Sequence, residues 1–313
     1  MMFIDVVSNP TAGIELNSFP KGNNYLSRLR RFILANKIGK MKTSDIQDQS
    51  QLSIFQDIDF TETIHSLKQK GIYQNLNLPA PIIQEIRDLA LTNTCHEPNN
   101  PQFRFHVSEK EEVMRQTGKP LVQGIYNKTI VSCPAIKKLE TDSTLLAIAA
   151  TYLNAEPMHQ DTQLWWSFAV ESTLYQRRQE AQRFCRDTNN PRSLTFYFYL
   201  TDVDLCSNPH VCVLESHRKK KLASRFLHKD HSLREISQYY GYPNITSICG
   251  KAGFGFVEDA RCFRKKSSPS SSDRLTLELK FTAKPGSPSN IPGHGLSKLM
   301  HNPIQTYRTG SFE

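Results

Sequence analysis

Cys185 stands directly beside Arg186 in the segment Ala181–Asp187 (AQRFCRD). A neighbouring cation lowers the pKa of a thiol and raises its thiolate fraction, so this pair is a candidate activated nucleophile. No histidine partner accompanies it in sequence, and an inert, half-buried cysteine is the preferred reading. The seven cysteines (Cys95, Cys133, Cys185, Cys206, Cys212, Cys249 and Cys262) are scattered, odd in number and free of any CxxC pair. That pattern speaks against a disulfide framework and against a structural zinc module, and it fits reduced thiols. A second chemically loaded stretch is Arg218-Lys219-Lys220-Lys221, extended by Arg225. Such a run suits a phosphate-bearing substrate or a nucleic acid, but a solvated loop is the commoner origin and is preferred here.

These side chains need elements to hold them. The 313 residues are 38% hydrophobic, enough for a substantial core, and carry a formal charge of +9. That excess can attract nucleic acid or anionic small molecules without saying anything about fold. No run approaches the ~18 consecutive apolar residues of a membrane-spanning helix. The first residues, MMFIDVVSNPTAG, show no basic stretch followed by an apolar one, so a secretory signal is not expected and the location is read as cytoplasmic.

The chain divides by composition into a polar extension over 1–55, a single domain over 56–283 and a Pro-, Gly- and Ser-rich tail over 284–313, read as loosely ordered. Within the extension, Tyr25–Lys42 (YLSRLRRFILANKIGKMK) has helical spacing and a basic face, read as peripheral and solvated. Pro79–Leu91 opens with prolines and continues with helical periodicity, and Thr141–Asn154 places capping side chains ahead of Leu145, Ile148, Ala149 and Tyr152. After Pro157 the segments become short, aromatic and β-branched: Leu164–Val170, Leu194–Thr201, His210–Leu214, Ala252–Val257 and Arg274–Thr282. The last alternates, with Leu275, Leu277, Leu279 and Phe281 on one face. Trp165 and Trp166 adjoin on a strand, so they should face opposite ways. The expectation is a helical first half packed on a β-rich second half.

The order AQRFCRD, the aromatic strand ending YFYLTDVD, Pro209-His210, Ser216-His217, GFGFVEDARC, Arg264 and then Arg274 ten residues later resembles the phytanoyl-CoA dioxygenase-like branch of the iron(II)/2-oxoglutarate-dependent oxygenases. The resemblance runs from about Thr141 to Phe281. It implies a mainly β fold with a helical buttress, a double-stranded β-helix of the jelly-roll or cupin-like kind. It further implies Fe(II) held by a His-x-Asp pair and a later histidine, with an arginine for the far carboxylate of 2-oxoglutarate.

Laid on this sequence, the metal positions read Cys185, Asp187 and Arg264, so only Asp187 keeps the family's residue type. A guanidinium has no lone pair to give and stays charged, so Arg264 opposes iron. Arg274 takes the co-substrate arginine's place, and Thr276, two residues on, shares its face. His159-Gln160-Asp161 is a weak alternative metal triplet whose side chains would share one face of an extended segment. His210 and His217 fall where the family has loop histidines.

Three functions are compatible. The preferred one is a family member that has lost ordinary oxygenase activity and binds a small anionic molecule. The second is an active dioxygenase hydroxylating an organic substrate through an altered metal site, with 2-oxoglutarate decarboxylated to succinate. The third is a basic interaction module touching nucleic acid. From the resemblance come two further expectations: that Cys185, Asp187, Arg264 and Arg274 converge at one mouth of the barrel, and that Arg264 forms an ion pair with Asp187. No membrane partner is expected, and the oligomeric state is open.

Overall fold

A computed structural model describes residues 53–55, 57–126, 128–169, 183–187, 192–207, 209–218, 231–265 and 272–285. All of them belong to one compact unit, Leu52–Glu313. The helix read over Tyr25–Lys42, nearly all of the 1–55 extension, most of the 284–313 tail and the run Lys219–Lys221 with Arg225 lie outside the described residues.

The strands are β1 (Ile72–Gln74), β2 (Cys95–Glu97), β3 (Asn100–Phe105), β4 (Gln123–Tyr126), β5 (Pro157–Ser167), β6 (Ser193–Tyr199), β7 (His210–Val213), β8 (Ile245–Ile248), β9 (Gly255–Asp259), β10 (Arg264–Lys265) and β11 (Arg274–Ala283). Eight of them form one antiparallel sheet in the order β1-β9-β6-β11-β5-β4-β2-β3, and three form a smaller sheet, β10-β7-β8. A bridge between Cys185 and Arg264 adds a fourth row to the smaller sheet.

Sequence explains which face goes where. On β11, Leu275, Leu277, Leu279 and Phe281 join Phe196, Phe198, Leu164 and Trp166 in the largest core cluster. That cluster also takes residues from helices α1 (Phe60–Lys70), α2 (Ala80–Thr92), α4 (Pro134–Glu140) and α5 (Ser143–Leu153). The helices, which also include α3 (Lys110–Thr117), therefore buttress the outer face of the large sheet. Its inner face carries Tyr197, Tyr199 and Phe256, packed with Cys212, Ile248 and Cys262. The small sheet's own outer face is closed by α6 (Leu233–Tyr240) through Ile236, Tyr240, Val213 and Phe263. Strand β6 is buried along its whole length because both of its faces are covered.

The expected helices α2 and α5 form within a residue or two of their predicted limits. Asp142 caps α5 by accepting from the backbone N–H of Thr144 and Leu145. The reading of the first half as helical needs correction, since β1 to β4 lie within it. These strands have three to six residues and little alternation, and they are held by pairing: β1 on β9, β4 on β5. Trp165 and Trp166 do face opposite ways, Trp165 against the inner cluster and Trp166 into the helix-side core. Among the described residues, no helix is long and apolar enough to cross a membrane.

Candidate functional site

The inner face of the barrel is built by strand alternation. On β11, Arg274, Thr276, Glu278 and Lys280 point inward between the apolar positions that face the helices. Register sets their neighbours: Thr276 lies between Trp165 and Tyr199, Glu278 between Gln163 and Tyr197, and Lys280 between Asp161 and Thr195. From β9, Phe256 and Glu258 lie opposite Tyr197 and Thr195. The small sheet supplies the facing wall. Arg264 is the register partner of Cys212 on one side and of Cys185 on the other. Cross-strand partners share a face, so Cys185, Arg264 and Cys212 form a row across the inner wall. Two backbone hydrogen bonds fix the row, Cys185 N to Arg264 O at 2.9 Å and Arg264 N to Cys185 O at 2.8 Å.

Arg264 thus stands next to Cys185 although 79 residues separate them in sequence. Asp187 follows on the same edge, its N–H donating to Ala260 O at 3.0 Å. Its carboxylate is engaged by Lys280 Nζ in a largely buried ion pair. The expected ion pair between Arg264 and Asp187 is therefore corrected: the partner of Asp187 is Lys280, and Arg264 makes no ion pair with a described residue. The reason is alternation. Lys280 lies near the far end of the inward row of β11, and its long stem reaches the edge on which Asp187 sits. Arg264 lies one row deeper, against Tyr197. Convergence of all four residues at one mouth is also corrected. Arg274 opens the inner row of β11, and Lys280, the partner of Asp187, lies about 20 Å further along it at 3.4 Å per residue.

The Arg264 guanidinium is turned inward. The phenol of Tyr197 first, and then Glu258, Glu278 and Cys185, raise its pKa against the opposing effect of burial. Its Nε and Nη1 are nevertheless buried without a hydrogen-bond partner, as is the Thr276 hydroxyl oxygen. Burial lowers the pKa of Arg274, with Tyr199 acting in the opposite direction. Tyr199 itself is pushed up to about 12, chiefly by burial.

His159 and Asp161 do not form a same-face triplet. The pairing of β5 with β11 shifts between Lys280 and Phe281, so Asp161 lies opposite Lys280 while His159 lies opposite Phe281. The bulge turns one side chain inward and the other toward the helices. His159 contacts the ring of Phe281 and bonds Thr162 Oγ1 at 2.7 Å, and Asp161 accepts from Gln163.

The residues at the family's metal positions do not fit Fe(II). One carboxylate is occupied by a lysine ammonium, and a fixed guanidinium occupies the distal position. Arg274 and Thr276 line the β11 side of the inner face, and Arg264, with two unpartnered nitrogens, belongs to the small sheet opposite. Sequence reasoning missed Lys280 and Glu258. Lys280 was legible in principle, being six residues from Arg274 and hence on its face. Glu258 lies within GFGFVEDARC, but its complete burial beside His210 depends on a strand 48 residues away.

No protein-family model matches the chain, and no curated protein does. Solved structures do. The non-heme alpha ketoglutarate dependent epimerase SnoN from nogalamycin biosynthesis aligns with a TM-score of 0.50 at 14% identity, covering 77% of this chain and 90% of its own. The non-heme alpha ketoglutarate dependent carbocyclase SnoK from the same biosynthesis gives 0.49 at 12%, covering 74% and 86%. HygX from Streptomyces hygroscopicus, crystallised with nickel, 2-oxoglutarate and hygromycin B, gives 0.48 at 12%, covering 71% and 86%. At such identities the likeness concerns fold alone, and the match to SnoN carries it. The chain has the double-stranded β-helix fold seen in 2-oxoglutarate-dependent oxygenases.

Proposed function

We propose that this chain is a phytanoyl-CoA dioxygenase-like protein that has lost ordinary iron-dependent oxygenase activity and binds a small anionic molecule inside the barrel. The reading is carried by the Arg264 guanidinium. It stands at the distal ligand position, and its Nε and Nη1 are buried with no hydrogen-bond partner. Leaving buried donors unsatisfied costs on the order of 1–3 kcal/mol each, and anion oxygens accepting from them would remove that cost.

Thr276 Oγ1, also without a partner, sits on the inner strip of β11 in the large sheet, beside Tyr199. Arg274 ends the strip, about 7 Å beyond Thr276 along the strand. A dicarboxylate such as 2-oxoglutarate has the length to span part of this row. Tyr197 first, and then Glu258 and Glu278, raise the pKa of Arg264 without taking those two hydrogen bonds.

Calorimetric titration of the full chain with 2-oxoglutarate, succinate, oxalate and inorganic phosphate tests the reading. At least one should bind, and Arg264→Ala or Thr276→Val should weaken it, the arginine change by roughly tenfold or more. Binding by none, or binding indifferent to both variants, would overturn it. The nucleic-acid reading has no support among the described residues, since Lys219–Lys221 lie outside them.

A further inference from the structure

At the Cys212 end of the Arg264 row lies a second cluster whose side chains are not donors to the anion. Cys212 on β7, Glu258 on β9 and Cys262 in the turn after it are all fully buried, and their ligand atoms lie within 4.8 Å of one another. One carboxylate oxygen, Glu258 Oε2, is 2.8 Å from His210 Nε2, while Oε1 has no hydrogen-bond partner. His217 approaches from the corner after β7, with Nδ1 at 3.9 Å from Cys262 Sγ. Its other nitrogen, Nε2, lies 3.2 Å from the carbonyl of Lys68. A carbonyl only accepts, so that contact places the ring proton on Nε2 and leaves the Nδ1 lone pair facing the thiol.

From these observations we infer a closed site for a soft divalent cation, Zn²⁺ by chemical class, with Cys212, Cys262 and Glu258 as ligands and His217 Nδ1 as the fourth. Zinc takes S, N and O donors tetrahedrally at ~2.0–2.3 Å, which sets ligand atoms about 3.5–3.8 Å apart. Cys212, Glu258 and Cys262 need to close by only about an ångström to reach that geometry, while His217 Nδ1, already 3.9 Å from Cys262 Sγ, lies outside their 4.8 Å group and has further to move. The surrounding contacts are those of a metal site. His210 holds the second carboxylate oxygen, and a backbone carbonyl orients His217, the outer-shell pattern that fixes ligand tautomer and aim.

Space has also been kept for it. Gly71 has φ +84°, and a Cβ there would come within 2.4 Å of Cys262 Sγ and 2.5 Å of His217 Nδ1. Only glycine leaves the two ligands clear of the chain.

Charge balances as well. Binding releases two thiol protons to solvent, and two thiolates, one carboxylate and Zn²⁺ sum to a single negative charge. Arg264, the register partner of Cys212, neutralises it. The ion would tie the small sheet to the large one, because Cys212 and Glu258 belong to different sheets. This site is separate from the positions of Cys185 and Asp187, and its four ligands are not donors in the anion reading, although it borders Arg264.

The test uses the full chain, purified with reductant in metal-free buffer and titrated anaerobically with Co²⁺ as a spectroscopic probe. The expected result is a single equivalent bound with a thiolate-to-cobalt charge-transfer band, displaced by Zn²⁺. Cys212→Ser and Cys262→Ser should abolish the band, Glu258→Gln should weaken binding roughly ten- to a hundredfold, and Asp187→Asn should leave the band intact. Because buried variants can fail to fold, wild-type protein gives a second readout. Zn²⁺ should slow alkylation of Cys212 and Cys262 while leaving the exposed Cys206 unchanged. No uptake, a band that survives both cysteine changes, a band lost only with Asp187→Asn, or Cys212 and Cys262 recovered as a disulfide with no metal bound would each overturn the inference.

Discussion

Replacing Lys280 by methionine removes one charge from the inner wall while keeping most of the stem that packs along β11. The structure sets the magnitude. Lys280 Nζ and the Asp187 carboxylate are in direct contact, with side chains only 15% and 14% exposed. Two charges 4 Å apart attract by about 4 kcal/mol at an effective dielectric of ~20, and desolvation of both ions offsets part of that. Removing one partner of a buried pair costs ~3–5 kcal/mol when burial is complete. Partial exposure reduces the expectation here to about 2 kcal/mol. For a domain of this size that corresponds to roughly 4–8 °C in Tm.

The assay is thermal or urea unfolding of wild type, Lys280→Met, Asp187→Asn and the double variant, which isolates the pairwise coupling. A coupling energy of about 1–3 kcal/mol is expected. Coupling within ~0.5 kcal/mol of zero would refute the assignment of Lys280 as the group that occupies Asp187.

Three further outcomes follow from other contacts. Arg261 forms a two-pronged pair with the buried Asp259 (Nε to Oδ1 3.0 Å, Nη2 to Oδ2 2.6 Å) while Tyr152 holds the same carboxylate, so Arg261→Ala should destabilise by about 3 kcal/mol in urea unfolding. Asp142 caps α5 and also accepts from Ser53 Oγ and Ile54 N, so Asp142→Ala should cost about 2 kcal/mol, more than an ordinary cap, in the same assay. Burial raises the pKa of Tyr126, Tyr152 and Tyr197, and pushes Tyr199 up to about 12. An unfolded tyrosine titrates near 10, so between roughly pH 10 and 12 the unfolded chain has lost protons that the native one keeps. Stability from these groups is whole below that window and falls as pH rises through it, by about 3 kcal/mol for Tyr199 alone. Phenolate absorbance should then appear together with unfolding. Ionisation of these tyrosines at ordinary pH values with the fold intact would contradict the burial assignment.

Much of the fold was legible because its signals are local. The alternation of β11 and the caps of α5 lie within single segments, and the aromatic run of β6 announces a strand covered on both sides. Strands β1, β2 and β4 were not legible. Three or four residues without clear alternation become strands only because a neighbour offers a free edge. At the site, segment order brought Cys185 beside Arg264, but it could not say where a long side chain ends. Whether Arg264 or Lys280 reaches Asp187 depends on which strand position lies level with which edge. The bulge between Lys280 and Phe281 is likewise a pairing property, and it separates His159 from Asp161 despite their two-residue spacing. The cluster of Cys212, Glu258 and Cys262 combines two sheets, so no spacing rule within one segment reveals it.

The central claim is that the barrel holds an anion by its own cations, with no iron at the positions of Cys185, Asp187 and Arg264. The most direct measurement is the affinity of the full chain for 2-oxoglutarate, determined anaerobically with and without Fe²⁺, followed by admission of oxygen and assay of succinate. The account predicts the same affinity in both conditions and no succinate above the protein-free control. Affinity that depends on a stoichiometric equivalent of Fe²⁺, with succinate released on exposure to oxygen, would contradict it.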